Sequence, residues 1–519
     1  MKKLNRYILL PLTVLTLASC DKDLQEVNTN PYALTTINPA LLFTSAQRTT
    51  FPGSWEGEQT IVQQFMNAYN TGATAGFNLN TDDNIFNVPR WNENYPNGIK
   101  LMEQIISMVK NDPTHSNLYQ QVRLWKSYVF MTLVDTYGDV PYSEAGKAFL
   151  EAKFYPKYDK SQAIYENLYA EIKSAAAALD NTKELVKEDL LYGTSADAAA
   201  QVGQWRKFAY SLLLRLGMRY SKIDAAKARS IVIEAYNGGV MQSNSDNAMI
   251  RYTAIYTNQL NNGPRATNPY FYYLAEPFVN KLKSTNDPRL KYISGKYADP
   301  NQALALVPDT TTANQFGFPV GYSQLTVGTY PGYRGTNGAG QNYSQLNFLV
   351  FGSATAPVFY ITNAQTKLLL AEAAFKGWLT GLAGAQTTQQ YYEAGVRASM
   401  DEYSVLPNVP SPAIPTALQN SYLTVPGIAY SDANALNLIN TQYWIVSLAN
   451  GAESFANFRR SGFPTLSPNN YNNNLQGGFV RRFAYPNEES SRNSANYQEA
   501  VASMGGNDNL TTRVFWDSQ

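Results

Sequence analysis

Cysteine and histidine are almost absent: the 519 residues contain one of each, Cys20 and His115. No intramolecular disulfide can form, and the roughly four ligands of a Cys/His structural zinc site cannot be assembled. Any nucleophilic triad would have to draw on His115 alone, which disfavours triad hydrolases. An excess of one charge is also missing. Against 41 Lys+Arg stand 40 Asp+Glu, and charged residues make up only 16% of the chain. Such a balance offers no basic field for a phosphate backbone, so nucleic acid is not an expected partner. No D-x-[DN]-x-[DN]-G loop signals calcium. Neither a metal nor a cofactor is expected. Long apolar runs are missing too: beyond the N-terminus none approaches the ~18 residues needed to span a bilayer.

What the sequence does have begins at residue 1. Lys2, Lys3 and Arg6 precede an apolar run over residues 8–18, ILLPLTVLTLA, too short for a membrane span of about 20 residues. The run ends in Leu17, Ala18, Ser19, Cys20, which resembles the bacterial lipoprotein cleavage box. Residues 1–19 therefore read as a cleaved signal peptide and Cys20 as the lipid attachment point. Residues 20–38 lack hydrophobic period and carry Asn and Pro breaks, the pattern of a flexible tether. Residues 39–519 are expected to form a single domain with an ample core, given 44% hydrophobic residues.

Helical period dominates that body. Leu118, Val122, Trp125, Val129 and Leu133 recur every three or four residues before Gly138 and Pro141 stop the pattern. A partner helix over residues 161–180 has Ser161 as a candidate N-cap and Ile164, Leu168, Ile172, Ala175 and Leu179 on one stripe. A second pair carries Trp205, Phe208, Leu212 and Leu216, then Ala228, Ile231 and Ala235 behind a cap at Asp224. A third lies at about 362–378 and 387–402, with further helices near 434–450 and 494–503. The expected fold is mainly α, built of degenerate helical hairpins without a strict 34-residue repeat. Between about 240 and 360 the composition turns to Asn, Gly, Thr and Tyr without helical period, a large loop-rich insertion. Its aromatic content argues for order.

Several stretches, in order, resemble one family. NTNPYALTTINPALLFTSA (28–46) is similar to its opening, and RLWKSYVFMTLVDTYGDVPYSEA (123–145) to its most specific helix and turn. Asp287-Pro288-Arg289, ITNAQTKLLLAEAAFKGW (361–378), YYEAGVRASMD (391–401), ESFANFRRSGFP (453–464) and RRFAYPNEES (481–490) follow. The chain resembles the SusD/RagB family of nutrient-binding outer-membrane lipoproteins of Bacteroidetes, in its SusD-like branch. Ala456-Asn457-Phe458 departs from the pattern, where an acidic residue and a tryptophan near Arg459 are expected. The resemblance implies tetratricopeptide-like helix pairs and a SusC-like TonB-dependent outer-membrane transporter as partner. It also implies an outer-membrane, surface-facing location, with which the acidic cluster Asp21-Lys22-Asp23 agrees.

Tyrosine outnumbers phenylalanine 37 to 23, and a tyrosine ring can stack while its hydroxyl stays wet. Two loop clusters join aromatics to amides: Trp55, Tyr69, Phe77 and Trp91 among Asn67, Asn70, Asn92 and Asn94, and Tyr322, Tyr330, Tyr333 and Arg334 beside Asn337 and Asn342. Trp55, Tyr69, Phe77, Trp91, Tyr330, Tyr333 and Arg334 are the ligand-binding candidates. Gly and Pro around Trp55 and around residues 330–335 suggest exposed turns. For Trp91 a buried pairing with Tyr95 at i, i+4 is the competing reading. Arg459 and Arg460 read as structural.

The expected function is non-enzymatic capture of an oligosaccharide or peptide and its delivery to the transporter. The alternatives are a lipid-anchored glycoside hydrolase and a helical-repeat scaffold of an outer-membrane complex. Carboxylate pairs such as Asp82 with Asp83, or Glu56 with Glu58, do not by their spacing flank a scissile bond. Cys20→Ser is expected to release the chain from the membrane fraction on cell fractionation; full retention would remove the lipid anchor from the account.

Overall fold

The computed structural model describes residues 37–69, 78–266, 268–469, 471, 473–475 and 477–518. Cys20, the leader, nearly all of the tether, Asn70 and Phe77 lie outside the described residues. The longer helices are α1 (Pro39–Arg48), α2 (Lys100–Val109), α3 (Ser116–Tyr137), α4 (Ser161–Ala178), α5 (Ala198–Arg219) and α6 (Ala225–Gly238). After them come α7 (Glu276–Ser284), α8 (Asn363–Phe375), α9 (Thr388–Asp401), α10 (Thr416–Leu423), α11 (Ala435–Val446), α12 (Gly451–Ser461) and α13 (Ser494–Ser503).

The periodic stripes pack as expected: α3 against α4, α5 against α6, and α8 against α9, with α4 touching α5 and α8 touching α11. Local chemistry sets the ends. Asp224 accepts from the Lys227 N–H at the start of α6, and Thr362 with Gln365, then Thr387 with Gln390, form capping boxes on α8 and α9. Ser161 does not cap α4; Lys160 holds the N-cap position, and the Ser161 N–H donates instead to Asp139 Oδ1 at 2.8 Å. Asp139 follows Gly138, whose φ of +84° turns the chain at the end of α3. The family-like Tyr-Gly-Asp turn thus serves the next helix of the hairpin.

Buried ion pairs tie the hairpins together. Arg219 on α5 donates to Glu453 on α12 at 2.7 Å and to Asp135 on α3 at 3.1 Å, and Arg215 Nε lies 3.2 Å from Glu453. Tyr443 donates to Glu453 at 2.8 Å, and Trp516 Nε1 to Asp135 at 2.9 Å. Burial alone would raise the Glu453 carboxyl, but Arg215 and Arg219 outweigh it and hold the carboxyl below its ordinary value of 4.5. Its contribution to stability is therefore complete above the ordinary glutamate range and is lost as pH falls below it.

Other family-like motifs are used in the same way. Glu372, at the centre of Ala-Glu-Ala on α8, accepts from Arg460 on α12 at 2.8 and 2.7 Å. Asp287 accepts from Arg289 Nε and Nη2 at 2.9 and 2.6 Å, and Arg482 reaches Asp508 at 2.5 Å. Arg459 lies over Phe455 at 3.7 Å and over Trp516 at 4.9 Å, so a C-terminal tryptophan provides an aromatic face beside it.

The loop-rich stretch between 240 and 360 contains more structure than expected. Strand β1 (Phe65–Asn67) lies before it in the chain; within it or at its edge lie β2 (Ala248–Ile250), β3 (Tyr272–Leu274) and β4 (Val358–Ile361). β1 pairs antiparallel with β3, Phe65 opposite Leu274, and β4 pairs with β2. Helix α7 also lies here. It buries Phe278, Val279 and Leu282, a stripe of barely two turns inside a window dominated by turn residues.

Glu453→Ala leaves Arg215 and Arg219 buried without their shared carboxylate and is expected to cost about 3–5 kcal/mol in urea denaturation. A loss below ~1 kcal/mol would show that the network is not holding the hairpins.

Candidate functional site

The β1–β3 pairing and the bond from Gln324 to Ala68 bring the chain next to Tyr69 against the segment that carries Tyr322, Tyr330 and Tyr333. Met66, Ala68, Tyr273, Ala275, Phe318, Val327 and Tyr343 form a small core of their own, covered by half-buried Tyr322, Tyr330 and Tyr333. Backbone bonds fix the layers: Gln324 N donates to the Ala68 carbonyl at 2.8 Å, Phe318 N to Leu274 at 2.8 Å, and Glu276 N to Phe318 at 2.9 Å. A third segment, after α12, closes the arrangement. Gln63 Nε2 donates to the Ser467 carbonyl at 2.6 Å, and Asn469 Nδ2 to the Asn78 carbonyl at 2.8 Å.

These segments enclose an open cleft of about 410 Å³ whose lining includes Gln63, Glu276, Tyr322, Tyr330, Asn469 and Tyr471. Tyr322 and Tyr471 stack nearly parallel, with centroids 4.0 Å apart and planes 6° apart. Tyr330 meets Tyr322 edge-on at 5.2 Å and 62°. Its hydroxyl donates to the Glu276 carboxylate, 2.9 Å from each oxygen. Burial, then that hydrogen bond, pushes the Tyr330 phenol up to about 12, so it remains a donor throughout the neutral range. Gln63 holds a φ of +56°, the left-handed region that non-glycine residues seldom adopt. Three rings beside amide and carboxylate groups can stack on a flat apolar face and hydrogen-bond the hydroxyls around it.

The individual candidates fare differently. Tyr330 lines the cleft, and Tyr333 sits beside it, half-buried, its hydroxyl donating to Gln341 at 3.0 Å. Arg334 is exposed and lies 3.9 Å over the Phe316 ring. Tyr69 is half-buried against Phe271 at 4.5 Å. Phe77 is outside the described residues.

Two candidates are corrected. Trp55 is 2% exposed, packed on Phe65 and Phe351 with its Nε1 donating to Asn261 at 3.1 Å. Its Pro-Gly turn packs inward: a Cβ on Gly53 would lie 2.8 Å from the Gly451 nitrogen at the start of α12. Trp91 is also buried, 4.7 Å from Tyr95 and 5.3 Å from Tyr137, so its i, i+4 partner is a packing contact. Tyr471, Glu276, Gln63 and Asn469 were not among the candidates; the lone aromatic in the Asn-rich SPNNYNNN was the available signal for Tyr471.

A larger cleft of about 700 Å³ lies between α1 and the 252–259 loop, where Arg48 stacks on Tyr256 at 4.0 Å. It has no comparable group of mutually contacting rings. Among the described residues no cluster of three or more His, Cys, Asp or Glu could hold a metal ion. Nor is any helix among them long and apolar enough to cross a membrane.

A mainly helical frame with a ligand-sized tyrosine cleft in its irregular part defines a binding protein of the SusD-like fold. The profile of the SusD-like family described as "Starch-binding associating with outer membrane" matches residues 31–486. The chain belongs to this family of nutrient-binding outer-membrane proteins. Among solved structures it is similar to a chitin-binding protein at 27% identity and a TM-score of 0.77, covering 93% of this chain and 100% of that one. A Bacteroidetes SusD-like protein matches at 25% identity and a TM-score of 0.78, with the same coverage. A chitin-binding SusD homologue from Flavobacterium johnsoniae shares the fold at 22% identity and a TM-score of 0.70, covering 92% of this chain and 98% of that one. No curated protein matches the chain.

Trp55→Ala opens a cavity in the core and is expected to lower stability by about 3–5 kcal/mol in chemical denaturation. An unchanged midpoint would contradict its placement in the core.

Proposed function

We propose that this chain captures an oligosaccharide in the tyrosine cleft and passes it to a SusC-like TonB-dependent transporter in the outer membrane. A lipid on Cys20 would hold it at the cell surface for that task. The observation that carries the reading is the convergence of Tyr322, Tyr330 and Tyr471, from two segments far apart in sequence, on one open cleft. Family membership supports the nutrient-binding role, and the 27%-identical chitin-binding protein supports a glycan over a peptide.

Glycoside hydrolysis, the competing reading, ordinarily needs two carboxylates about 5–9 Å apart across the scissile bond. Glu276 is the one carboxylate among the described lining residues, and both its oxygens accept from Tyr330. The carboxylates raised from sequence are engaged elsewhere: Glu58 by Arg90 at 2.5 Å, Glu56 by Asn67 at 2.6 Å, and Asp82 by Asn87 at 2.5 Å. Asp83 caps a one-turn helix by accepting from Ile85 N at 2.8 Å. These engagements favour binding without turnover.

Titration calorimetry against a panel that includes starch- and chitin-derived oligosaccharides tests the reading. Tyr322→Ala and Tyr471→Ala are each expected to weaken the best ligand by roughly 1–3 kcal/mol while leaving the fold intact. Unchanged affinity in both variants would place the site elsewhere, and turnover of any panel member would overturn the non-enzymatic reading.

A further inference from the structure

Thr465 and Leu466 line the tyrosine cleft and also a neighbouring cavity of about 300 Å³. The walls of that cavity carry four cations, Lys222, Arg459, Arg481 and Arg513. Among the described residues one carboxylate serves them directly: Asp517 accepts from Arg481 Nε at 2.8 Å and from Arg513 at 3.0 Å. Glu372, whose charge also acts on Lys222, is taken up by Arg460. Lys222 is exposed and makes no hydrogen bond or ion pair among the described residues.

Arg459 is the unusual member. It is 2% exposed, yet among the described residues its guanidinium donates only to backbone carbonyls: Phe455 at 3.1 Å, Arg481 at 2.7 Å and Asp135 at 2.5 Å. A buried guanidinium with no carboxylate in contact retains much of its desolvation cost. Burial lowers Arg459 to about 9, with Arg481 and Arg219 opposing its charge and Asp517 and Asp135 only partly restoring it. An oxyanion entering the cavity would supply the missing counter-charge, and guanidinium and ammonium groups suit a carboxylate or sulfate.

We propose that this cavity is an oxyanion subsite adjoining the tyrosine cleft, and that the captured glycan is an acidic one bearing carboxylate or sulfate groups. The assignment rests on the glycan reading of the cleft: a ring stacks on the tyrosines while an acidic substituent or neighbouring acidic sugar reaches past Thr465 and Leu466 to the cations.

The test is calorimetry with tetragalacturonate, a sulfated tetrasaccharide, neutral cellotetraose and inorganic sulfate. Wild-type protein is expected to bind one of the acidic tetrasaccharides at least about tenfold more tightly than the neutral one. The Lys222→Gln/Arg513→Gln variant should bring that ratio to within about twofold without changing neutral-glycan affinity. Because Arg513 also holds Asp517, Lys222→Gln alone is the second variant; it alters only an exposed side chain and should lower the ratio by at least about threefold. An acidic preference that survives both variants, or no acidic preference in the wild type, overturns the proposal. Stabilisation by inorganic sulfate with no saccharide preference also overturns it, reducing the cavity to a free-ion site. If acidic binding depends on Lys222 but not on Tyr322 or Tyr471, the cavity stands and the tyrosine-cleft reading fails.

Discussion

Glu453 sits where three helices meet, facing Arg215 and Arg219 of α5 from the first turn of α12, while Arg219 reaches on to Asp135 of α3. Full-length charges in such a place are costly unless every one is matched. Here they are matched across segments 84 and 234 residues apart, so the frame closes only when α3, α5 and α12 arrive together. Trp516 and Tyr443 add donors to the same two carboxylates, which draws the C-terminal segment and α11 into the arrangement. Apolar stripes make each hairpin stick to its neighbour, but they tolerate sliding. Paired buried charges do not, and they set the register of the hairpins.

The candidate site depends on that register. α12 is held by Glu453 at one end and by Arg460, through Glu372 of α8, at the other. The segment that follows it supplies Asn469 and Tyr471 to the cleft, and its Thr465 and Leu466 lie between the cleft and the cationic cavity. The opposite wall is fixed by β1, which pairs with β3 and passes directly to Ala68 and Tyr69. A site made of loops is thus positioned by elements bonded to one another, the usual division of labour between scaffold and loop.

The helical half was legible because burial imposes a period of 3.6 on residues close in sequence: Ile164, Leu168 and Ile172 could be placed on one face without any partner in view. The ionic half was legible only as motifs. Ala-Glu-Ala and Arg-Arg could be located, but the bond between Glu372 and Arg460 spans 88 residues and leaves no local trace. Exposure was the least legible property. Pro52-Gly53 correctly marked a turn beside Trp55, yet that turn is pressed onto Gly451, and the tryptophan goes inward. The Gly- and Pro-rich segment around Tyr330 does open onto the surface, with Tyr330 itself half-buried and bonded to Glu276 at the start of α7. Tyr471 and α7 were missed for one reason: an aromatic among asparagines and a stripe of two turns carry too little pattern to register.

The central claim is that three tyrosines from two distant segments form the surface on which a glycan ring rests. Hydroxyl-radical footprinting of the intact protein, with and without the best-binding oligosaccharide, tests it by reading each tyrosine separately. The account predicts protection of Tyr322, Tyr330 and Tyr471, with Tyr256 in the larger cleft unchanged. Protection confined to Tyr256 and its neighbours, with the three tyrosines oxidised as in the free protein, would contradict it.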